Sequence, residues 1–169
     1  MISIDQAKFN EILKLSDVKP RLKKELKFAA GTDEWADREM FAAADKTGRN
    51  GVLLLQPYEK LYAVQYELTP RIVDSLTGRD RAVICDFCRT WQKGSNAASV
   101  SFTNPVSKNS VTFLCCGDLA CSQHVRTETD AARISRTQLK EDLTNEDRVR
   151  RLKNRLDDKI KQLDLAPIA

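Results

Sequence analysis

All five cysteines and the only histidine of the 169-residue chain lie in two short segments. The first is "ICDFC", residues 84–88, in which two residues separate Cys85 from Cys88. The second is "LCCGDLACSQHVR", residues 114–126, which holds the other cysteines and His124. Two intervening residues let a tight turn aim a pair of sulfurs at one point, and a tetrahedral metal ion takes four ligands. The spacing therefore predicts a metal site.

The second segment contains more candidate ligands than the site needs. Cys115 and Cys116 are neighbours in an expected strand, where consecutive side chains point to opposite faces, so one of them is expected to be a spectator. Between Cys116 and Cys121, Gly117 permits a sharp strand-to-helix turn and Asp118 is a natural N-cap. A knuckle, a β-hairpin and a helix whose first turn supplies the last ligand make a treble clef. These spacings predict Zn²⁺ bound by Cys85, Cys88, Cys116 and Cys121.

Three alternatives stay open from the residues alone. His124 follows Cys121 by about one helical turn and is a rival fourth ligand, although beside four cysteines a lone histidine is more often a surface or supporting residue. Cys115 could bind in place of Cys116. The thiols could also be buried without metal, but two close pairs at this separation rarely arise for packing alone.

Enzymatic chemistry is not expected from these segments. A catalytic zinc keeps an open coordination position, and neither an HExxH nor an HxE motif occurs in the sequence. The segment "CSQH" does not resemble a nucleophile triad, and the CxxC pair lacks the βαβ setting of an oxidoreductase. A closed site of four thiolates is structural, so the free energy of metal binding stabilises the fold.

Three short helices are predicted within the first fifty residues. Ser3 and Gln6 have capping-box spacing before an apolar face of Ile4, Phe9, Ile12 and Leu13. A second helix begins at Pro20 and stops at Gly31. A third covers "DEWADREMFAAAD", residues 33–45, with core candidates Trp35, Met40 and Phe41.

The middle of the chain predicts strands. "GVLLLQ" (51–56), "KLYAVQYEL" (60–68) and "RAVIC" (81–85) are short, apolar and rich in β-branched or aromatic residues. A brief helix is expected between Pro70 and Gly78. "AASVSFT" (97–103) and "SVTFLC" (110–115) alternate around a turn-rich stretch and predict a hairpin that leads to the second cysteine pair.

The C-terminal part predicts helices, the last of them long. Thr144 and Asp147 have capping-box spacing, and apolar residues recur behind them at Val149, Leu152, Leu156, Ile160 and Leu163. The expected fold class is α+β, with N-terminal short helices, a small antiparallel sheet carrying the treble clef, and a long C-terminal helix. We expect a helical region over 1–50 and a zinc-finger domain with C-terminal helices over 51–169.

Composition and charge limit the class of protein, its cellular compartment and its partners. Hydrophobic residues make up 41% and charged residues 31%, the profile of a globular protein. No apolar run approaches the ~18 residues of a membrane span, and the first ten residues lack a signal-peptide pattern, so a cytoplasmic protein is expected. In that reducing compartment clustered cysteines indicate metal ligands. The net charge of +4 favours an acidic partner or RNA without requiring either.

Taken together, "CDFC" and "TFLCCGDLACSQHVR" resemble the C-terminal treble-clef zinc-finger domain of the elongation factor G-binding proteins. That family includes the FusB-type fusidic acid resistance proteins and is also called the FBP-domain family. Its pattern places a CxxC knuckle before a C-x4-C element with a "DLAC"-like core and a trailing arginine. Cys116 to Cys121, with Asp118 and Arg126, fall in register.

The resemblance implies a non-enzymatic cytoplasmic protein that binds elongation factor G and, in the resistance proteins, helps to release the drug-stalled factor from the ribosome. We expect the protein to be a monomer. It also implies that the zinc domain contacts the factor through aromatic and basic residues near the knuckle and hairpin. At those positions stand Phe87, Arg89, Trp91, Lys108 and Arg126. We expect Phe87 to be exposed, because knuckle tips point outward, whereas Trp91 fits packing around the zinc equally well.

Between Arg148 and Arg155 the last helix carries five basic residues. Such a run is usually a solvated face with intrahelical ion pairs, and the alternative is contact with ribosomal RNA or an acidic partner surface. Two functions therefore compete: binding to elongation factor G, and zinc-dependent binding to RNA or the ribosome without a translation factor. A metal-dependent enzyme would need an open ligand position.

Overall fold

The computed structural model describes residues 4–26, 38–104 and 106–168. Short helices precede the strands, and further helices follow them. The elements are α1 (Gln6–Leu15), α2 (Pro20–Glu25), β1 (Met40–Ala44), β2 (Asn50–Leu55), β3 (Tyr62–Pro70), β4 (Val83–Ile84), β5 (Trp91–Gln92), β6 (Ala97–Thr103), β7 (Ser110–Cys116), α3 (Cys121–His124), α4 (Asp130–Leu139) and α5 (Asn145–Gln162).

Two antiparallel sheets organise the chain. The larger has five strands in the order β1-β2-β3-β6-β7, and the smaller is a two-stranded ribbon of β4 and β5. Pairing runs from Met40↔Leu55 between β1 and β2 to Ala97↔Cys116 between β6 and β7. The first cysteine pair lies on the loop that joins the strands of the ribbon, and the second begins at the end of β7.

The two faces of the large sheet carry separate hydrophobic cores. Successive residues of a strand point to opposite faces, so Leu53 enters one core and Leu54 the other. The cysteine core contains all five cysteines, Phe87, Phe102, Phe113 and the apolar stripe of α5. The N-terminal core contains the apolar faces of α1 and α2 and the residues of the sheet beneath them: Ile4, Phe9, Ile12, Leu13, Val18, Leu22, Ala43, Val52, Leu54 and Leu61.

The first two predicted helices are present, with ends that differ from the prediction. α1 begins after Asp5, whose side chain accepts a 2.7 Å hydrogen bond from the amide of Lys8. The predicted cap at Ser3 lies outside the described residues. α2 begins at Pro20 as expected and ends at Glu25, while the predicted stop at Gly31 also lies outside the described residues.

The third predicted helix is wrong where the structure describes it, because Met40–Ala44 forms strand β1. Methionine and alanine favour helices in isolation. Here five consecutive pairings with β2 satisfy the backbone, and the alternation of the strand sends Met40 into the cysteine core and Ala43 into the N-terminal core. Trp35 lies outside the described residues.

The brief helix expected between Pro70 and Gly78 is also wrong. β3 continues through Pro70, and the chain then forms a tight hairpin with a bridge between Val73 and Asp80. The strand expected over 81–85 is reduced to Val83–Ile84.

The predictions of the β6–β7 hairpin and of the long C-terminal helix are confirmed. β6 covers Ala97–Thr103 as expected, and β7 extends one residue further, to Cys116. α5 begins after Thr144, whose hydroxyl accepts a 3.1 Å hydrogen bond from the amide of Asp147. The fold class is α+β as expected, while the division of the chain after residue 50 stays a prediction. Within the described ranges, no helix has both the length and the apolar character to cross a bilayer.

Candidate metal centre

The first cysteine pair lies in a tight turn between β4 and β5. Hydrogen bonds of 3.0 Å from the amide of Cys85 to Thr90 O and from the amide of Arg89 to Cys85 O close the turn. Arg89 has a φ of 61°, a left-handed conformation that reverses the chain after Cys88. The amide of Phe87 donates to Cys85 Sγ over 3.4 Å, which favours the thiolate form. The knuckle expected from the CxxC spacing is present.

The second pair is positioned by the end of a strand and the start of a helix. Cys116 is the last residue of β7, and Cys121 is the first residue of α3, as the treble-clef interpretation requires. The turn between them places Leu119 in the left-handed region, with a φ of 52°, and not Gly117. Asp118 accepts a 3.0 Å hydrogen bond from the amide two residues later, but α3 has no side-chain cap, so the predicted N-cap role of Asp118 is wrong.

The sulfur atoms of Cys85, Cys88, Cys116 and Cys121 all lie within 4.8 Å of one another, and the four side chains are buried. The Sγ–Sγ distance is 3.7 Å between Cys85 and Cys121, 3.5 Å between Cys88 and Cys116, and 3.9 Å between Cys116 and Cys121. A tetrahedral zinc ion with Zn–S bonds of about 2.3 Å needs S–S edges of about 3.8 Å. The cluster therefore fits zinc and offers a sulfur for each of its four positions.

Without a metal, the thiols of Cys85, Cys116 and Cys121 compete for protons. Burial raises the pKa of the Cys85 thiol, but hydrogen bonds with the Cys116, Cys121 and Cys88 thiols hold this pKa well below its usual range. Burial raises the pKa of Cys116, and the hydrogen bond with Cys116 raises the pKa of Cys121. One sulfur thus ionises at the expense of its neighbours, because like charges at this distance repel. A divalent cation offsets this repulsion, because it stabilises the thiolate form of every ligand.

Cys115 lies outside the four-sulfur cluster. Its side chain is fully buried in the cysteine core, where burial raises the pKa of the thiol above its usual range. A protonated thiol in apolar surroundings packs as a small hydrophobic group. Of the two neighbouring cysteines, it is Cys116 that the structure brings to the cluster.

His124 lies beside the cluster and is fully buried. Its Nδ1 is 2.6 Å from Thr129 Oγ1, and its Nε2 is 3.2 Å from Asp118 Oδ1. Asp118 also accepts a 3.1 Å hydrogen bond from Asn96 Nδ2. Both ring nitrogens are therefore engaged in hydrogen bonds: the bond to Asp118 holds the turn between Cys116 and α3, and the bond to Thr129 ties α3 to the residue that caps α4. His124 thus supports the cluster from beside it.

Asp86 joins the knuckle to the edge of the sheet, a role that the sequence did not reveal. Its amide donates to Leu114 O over 2.8 Å, and its carboxylate accepts from the Leu114 amide over 2.8 Å. Two bonds to one residue of β7 fix the position of the CxxC turn relative to the strand that ends in Cys116. An acidic residue inside the CxxC pair is the only signal that the sequence offers for this contact.

Arginines of α5 also support the knuckle. Arg155 Nη1 donates to Asp86 O over 3.1 Å, and Arg151 Nη2 lies 3.5 Å from Cys88 O. Arg148 is fully buried, with its Nε 3.1 Å from a carboxylate oxygen of Glu141, and burial lowers the pKa of its guanidinium. Four thiolates outnumber the charges of one zinc ion, and the bonds of Arg155 and Arg151 to knuckle carbonyls place positive charge beside the site. Arg148 and Arg151 also share the carboxylate of Glu141, which offsets part of their charge. The interpretation of this run as a solvated face is wrong for Arg148.

The predicted exposure of Phe87 is wrong. The side chain is fully buried, and its ring centroid lies 5.9 Å from that of Phe102 and 5.7 Å from that of Phe113. Asp86 binds β7 and so turns the tip of the knuckle inward. The ring of Phe87 therefore packs against the β6–β7 hairpin.

The other predicted partner-binding residues do not form one cluster. Arg89 and Trp91 are half-buried at the ribbon, and Lys108 is exposed at the turn between β6 and β7. Seven residue pairs, from Ala97↔Cys116 to Thr103↔Ser110, separate the zinc end of that hairpin from its turn, a length of about 20 Å. Arg126 binds Glu39 with both terminal nitrogens, over 2.9 and 2.7 Å, and so links α3 to the start of β1.

A family model described as the FBP C-terminal treble-clef zinc-finger matches residues 16–163. No curated protein and no solved structure matches the chain. The matched span contains the whole five-stranded sheet, both cysteine pairs and α5. Four buried sulfurs at zinc-binding distances agree with that description. The chain therefore belongs to the FBP C-terminal treble-clef zinc-finger family, and its cofactor is Zn²⁺.

Proposed function

We propose that the protein is a binding module that recognises elongation factor G and modulates the time that the factor spends on the ribosome. The family match over residues 16–163 carries this proposal, because the cysteine motifs inside that span resemble those of elongation factor G-binding proteins. This function places the protein in the cytoplasm, where translation takes place, and it requires no second copy of the chain.

In this proposal the metal has a structural role. Zn²⁺ is held by Cys85, Cys88, Cys116 and Cys121, and four thiolates leave no coordination position for a substrate. Absorption spectroscopy of the cobalt-substituted protein checks the ligand set, with the bands of a tetrahedral four-thiolate site as the expected result. A spectrum with a nitrogen ligand would instead favour His124, and an open coordination position would favour an enzyme.

The partner surface is proposed around the β4–β5 ribbon. Arg89 and Trp91 are partly accessible there, and Lys108 adds a cation at the far end of the β6–β7 hairpin. Phe87 acts from inside the fold by packing under the hairpin, and the half-buried Arg126 acts through its ion pair with Glu39.

The deciding experiment is a binding measurement with purified elongation factor G in the absence of ribosomes. Isothermal titration calorimetry should show a stable binary complex with the zinc-loaded protein and none after zinc is removed. Trp91→Ala should weaken the complex without releasing the metal. Lack of binding by the zinc-loaded protein would contradict the proposal.

A zinc-dependent RNA- or ribosome-binding function is the second candidate. The exposed side of α5 carries cations such as Arg150, and the protein has a net charge of +4. Binding of this kind should weaken steeply as salt is raised, because bound cations displace counterions from the phosphates. Cosedimentation with ribosomes but no complex with the free factor would favour this function.

A further inference from the structure

The hairpin of residues 71–81, "RIVDSLTGRDR", projects between β3 and β4. Its two arms are joined by the bridge between Val73 and Asp80 and by a 2.7 Å hydrogen bond from the amide of Arg81 to Ile72 O. At the tip, the Asp74 carboxylate accepts hydrogen bonds of 3.0 Å from the amide of Leu76 and 2.9 Å from the amide of Thr77. The projection is therefore an internally bonded structure.

The base of the 71–81 hairpin is fixed to the body of the protein. The amide of Arg71, which has a φ of 62°, donates to Ala97 O over 3.0 Å at the start of β6. Gly94 packs directly against the returning arm, since a Cβ at this position would lie 2.6 Å from Asp80 Cβ. This close approach requires glycine. The hairpin is thus held in one orientation before any partner arrives.

The outer surface of the hairpin combines an apolar tip with arginines. Leu76 is 94% exposed, the highest value among the large apolar side chains of the described residues, and Val73 on the same hairpin is 54% exposed. Arg71 faces Asp80 at 3.8 Å. Within the described residues, neither Arg79 nor Arg81 forms an ion pair, and both are exposed. One apolar anchor is thereby flanked by two exposed cations, of which Arg81 also interacts electrostatically with Asp74 on the same hairpin.

These features favour a protein partner over a nucleic acid. Single-stranded RNA is bound by aromatic rings that stack on bases, and the hairpin has none. Of its five charged residues two are aspartates, which would face phosphates unfavourably. An ordered projection binds a protein pocket well because little conformational entropy remains to be lost. Arginines beside the anchor match carboxylates at the rim of such a pocket.

We propose that the 71–81 hairpin is a docking element for the protein partner, with Leu76 inserted into an apolar pocket and Arg79 and Arg81 paired with carboxylates at its rim. This inference rests on the proposed function, since it adds a contact to the complex with elongation factor G. It also extends the partner surface beyond the knuckle and the β6–β7 hairpin, because the returning arm of the 71–81 hairpin leads directly into β4.

The test measures affinity for purified elongation factor G with the full-length, zinc-loaded protein and its variants. Leu76→Asp should weaken binding by at least on the order of tenfold, because it places a charge in an apolar pocket. The double variant Arg79→Glu and Arg81→Glu should weaken binding and flatten its dependence on salt. Leu76 is almost fully exposed, so the melting temperature should not change in the first variant.

Matched controls come from another hairpin and from α1. Arg49→Glu alters an exposed arginine in the turn between β1 and β2, and Leu15→Asp alters an apolar side chain that is 64% exposed. Both should keep wild-type affinity. If wild type binds the factor and the 71–81 variants bind equally well, the docking role is wrong while the proposed function stands. If the wild-type protein does not bind the factor, both the docking role and the proposed function are wrong. Loss of ribosomal RNA binding alone in the variants would also overturn the docking role.

Discussion

The two cores of this molecule share one sheet but are stabilised by different means. The N-terminal core is formed by apolar side chains of α1, α2 and the sheet, so that burial itself supplies the favourable free energy. The cysteine core surrounds four thiols that are in mutual contact, with a buried arginine at Arg148. Burial alone is a weaker source of stability there, because ionisable groups resist removal from water.

This difference indicates that zinc completes one core and leaves the other independent of metal. The sheet separates the two cores, and β2 contributes fully buried side chains to both faces, Leu53 to the cysteine core and Leu54 to the N-terminal core. Loss of zinc should therefore first open the face that carries the knuckle, the end of β7 and α5.

The largest effect is expected from removing a cluster cysteine. Cys85→Ser, Cys88→Ser, Cys116→Ser and Cys121→Ser should each eject zinc and forfeit binding free energy on the order of 10 kcal/mol. Hydrogen exchange should then accelerate in β6, β7 and α5 before it accelerates in α1. Metal analysis of the purified variants gives the first readout. Stoichiometric zinc with a native melting curve in any one of them would show that the ligand set is wrong.

The next largest effect is expected from two neighbouring leucines of β2, which allow the two cores to be compared directly. Leu53→Ala and Leu54→Ala each remove a fully buried side chain, and each should reduce the free energy of unfolding by about 2–5 kcal/mol. Only Leu53→Ala should also hasten the transfer of zinc to a chelator, because only Leu53 lies in the cysteine core. Equal zinc release from both variants would mean that the two cores open as one unit.

The fold could be predicted best where local pattern and tertiary contacts agree. The alternation in "AASVSFT" gave β6 with its observed ends, and the apolar stripe with its capping residue Thr144 gave α5. Prediction failed at Met40–Ala44, where alanines favour a helix but pairing with β2 selects a strand. The helix predicted after Pro70 was also wrong. The residues of that segment do not show that it forms a hairpin packed against Gly94, which comes later in the chain.

The candidate site could be predicted from spacing, but its supports could not. The four cysteines of the cluster follow from the CxxC pair and the C-x4-C element, whereas Asp86 and the arginines of α5 carry no motif. Arg148 shows the reason. It precedes Leu152 by four residues and so continues the buried stripe, yet a charge is assumed to face water until a partner such as Glu141 is known.

A smaller effect is expected from the arginine that holds the knuckle. Arg155→Ala removes the hydrogen bond to Asp86 O and should cost about 1.5–3 kcal/mol of unfolding free energy, with faster zinc loss to a chelator. Arg150→Ala is the control on the same helix, since Arg150 is mostly exposed and pairs only with Asp147 in the described part of the chain. That change should stay within about 0.5 kcal/mol of wild type. Identical behaviour of the two variants would contradict a supporting role for Arg155.

The smallest effect concerns the cysteine beside the cluster. Cys115→Ser should keep zinc and lower the free energy of unfolding by only on the order of 1 kcal/mol, because a buried, protonated thiol contributes through packing. Thiol labelling of the native protein should likewise leave Cys115 unmodified, since burial raises its pKa and blocks the reagent. Zinc loss in Cys115→Ser with retention in Cys116→Ser would instead shift β7 by one residue and exchange its faces. In that case the stripe of side chains now in the cysteine core would turn outward, and His124→Ala would have to be analysed for zinc as well.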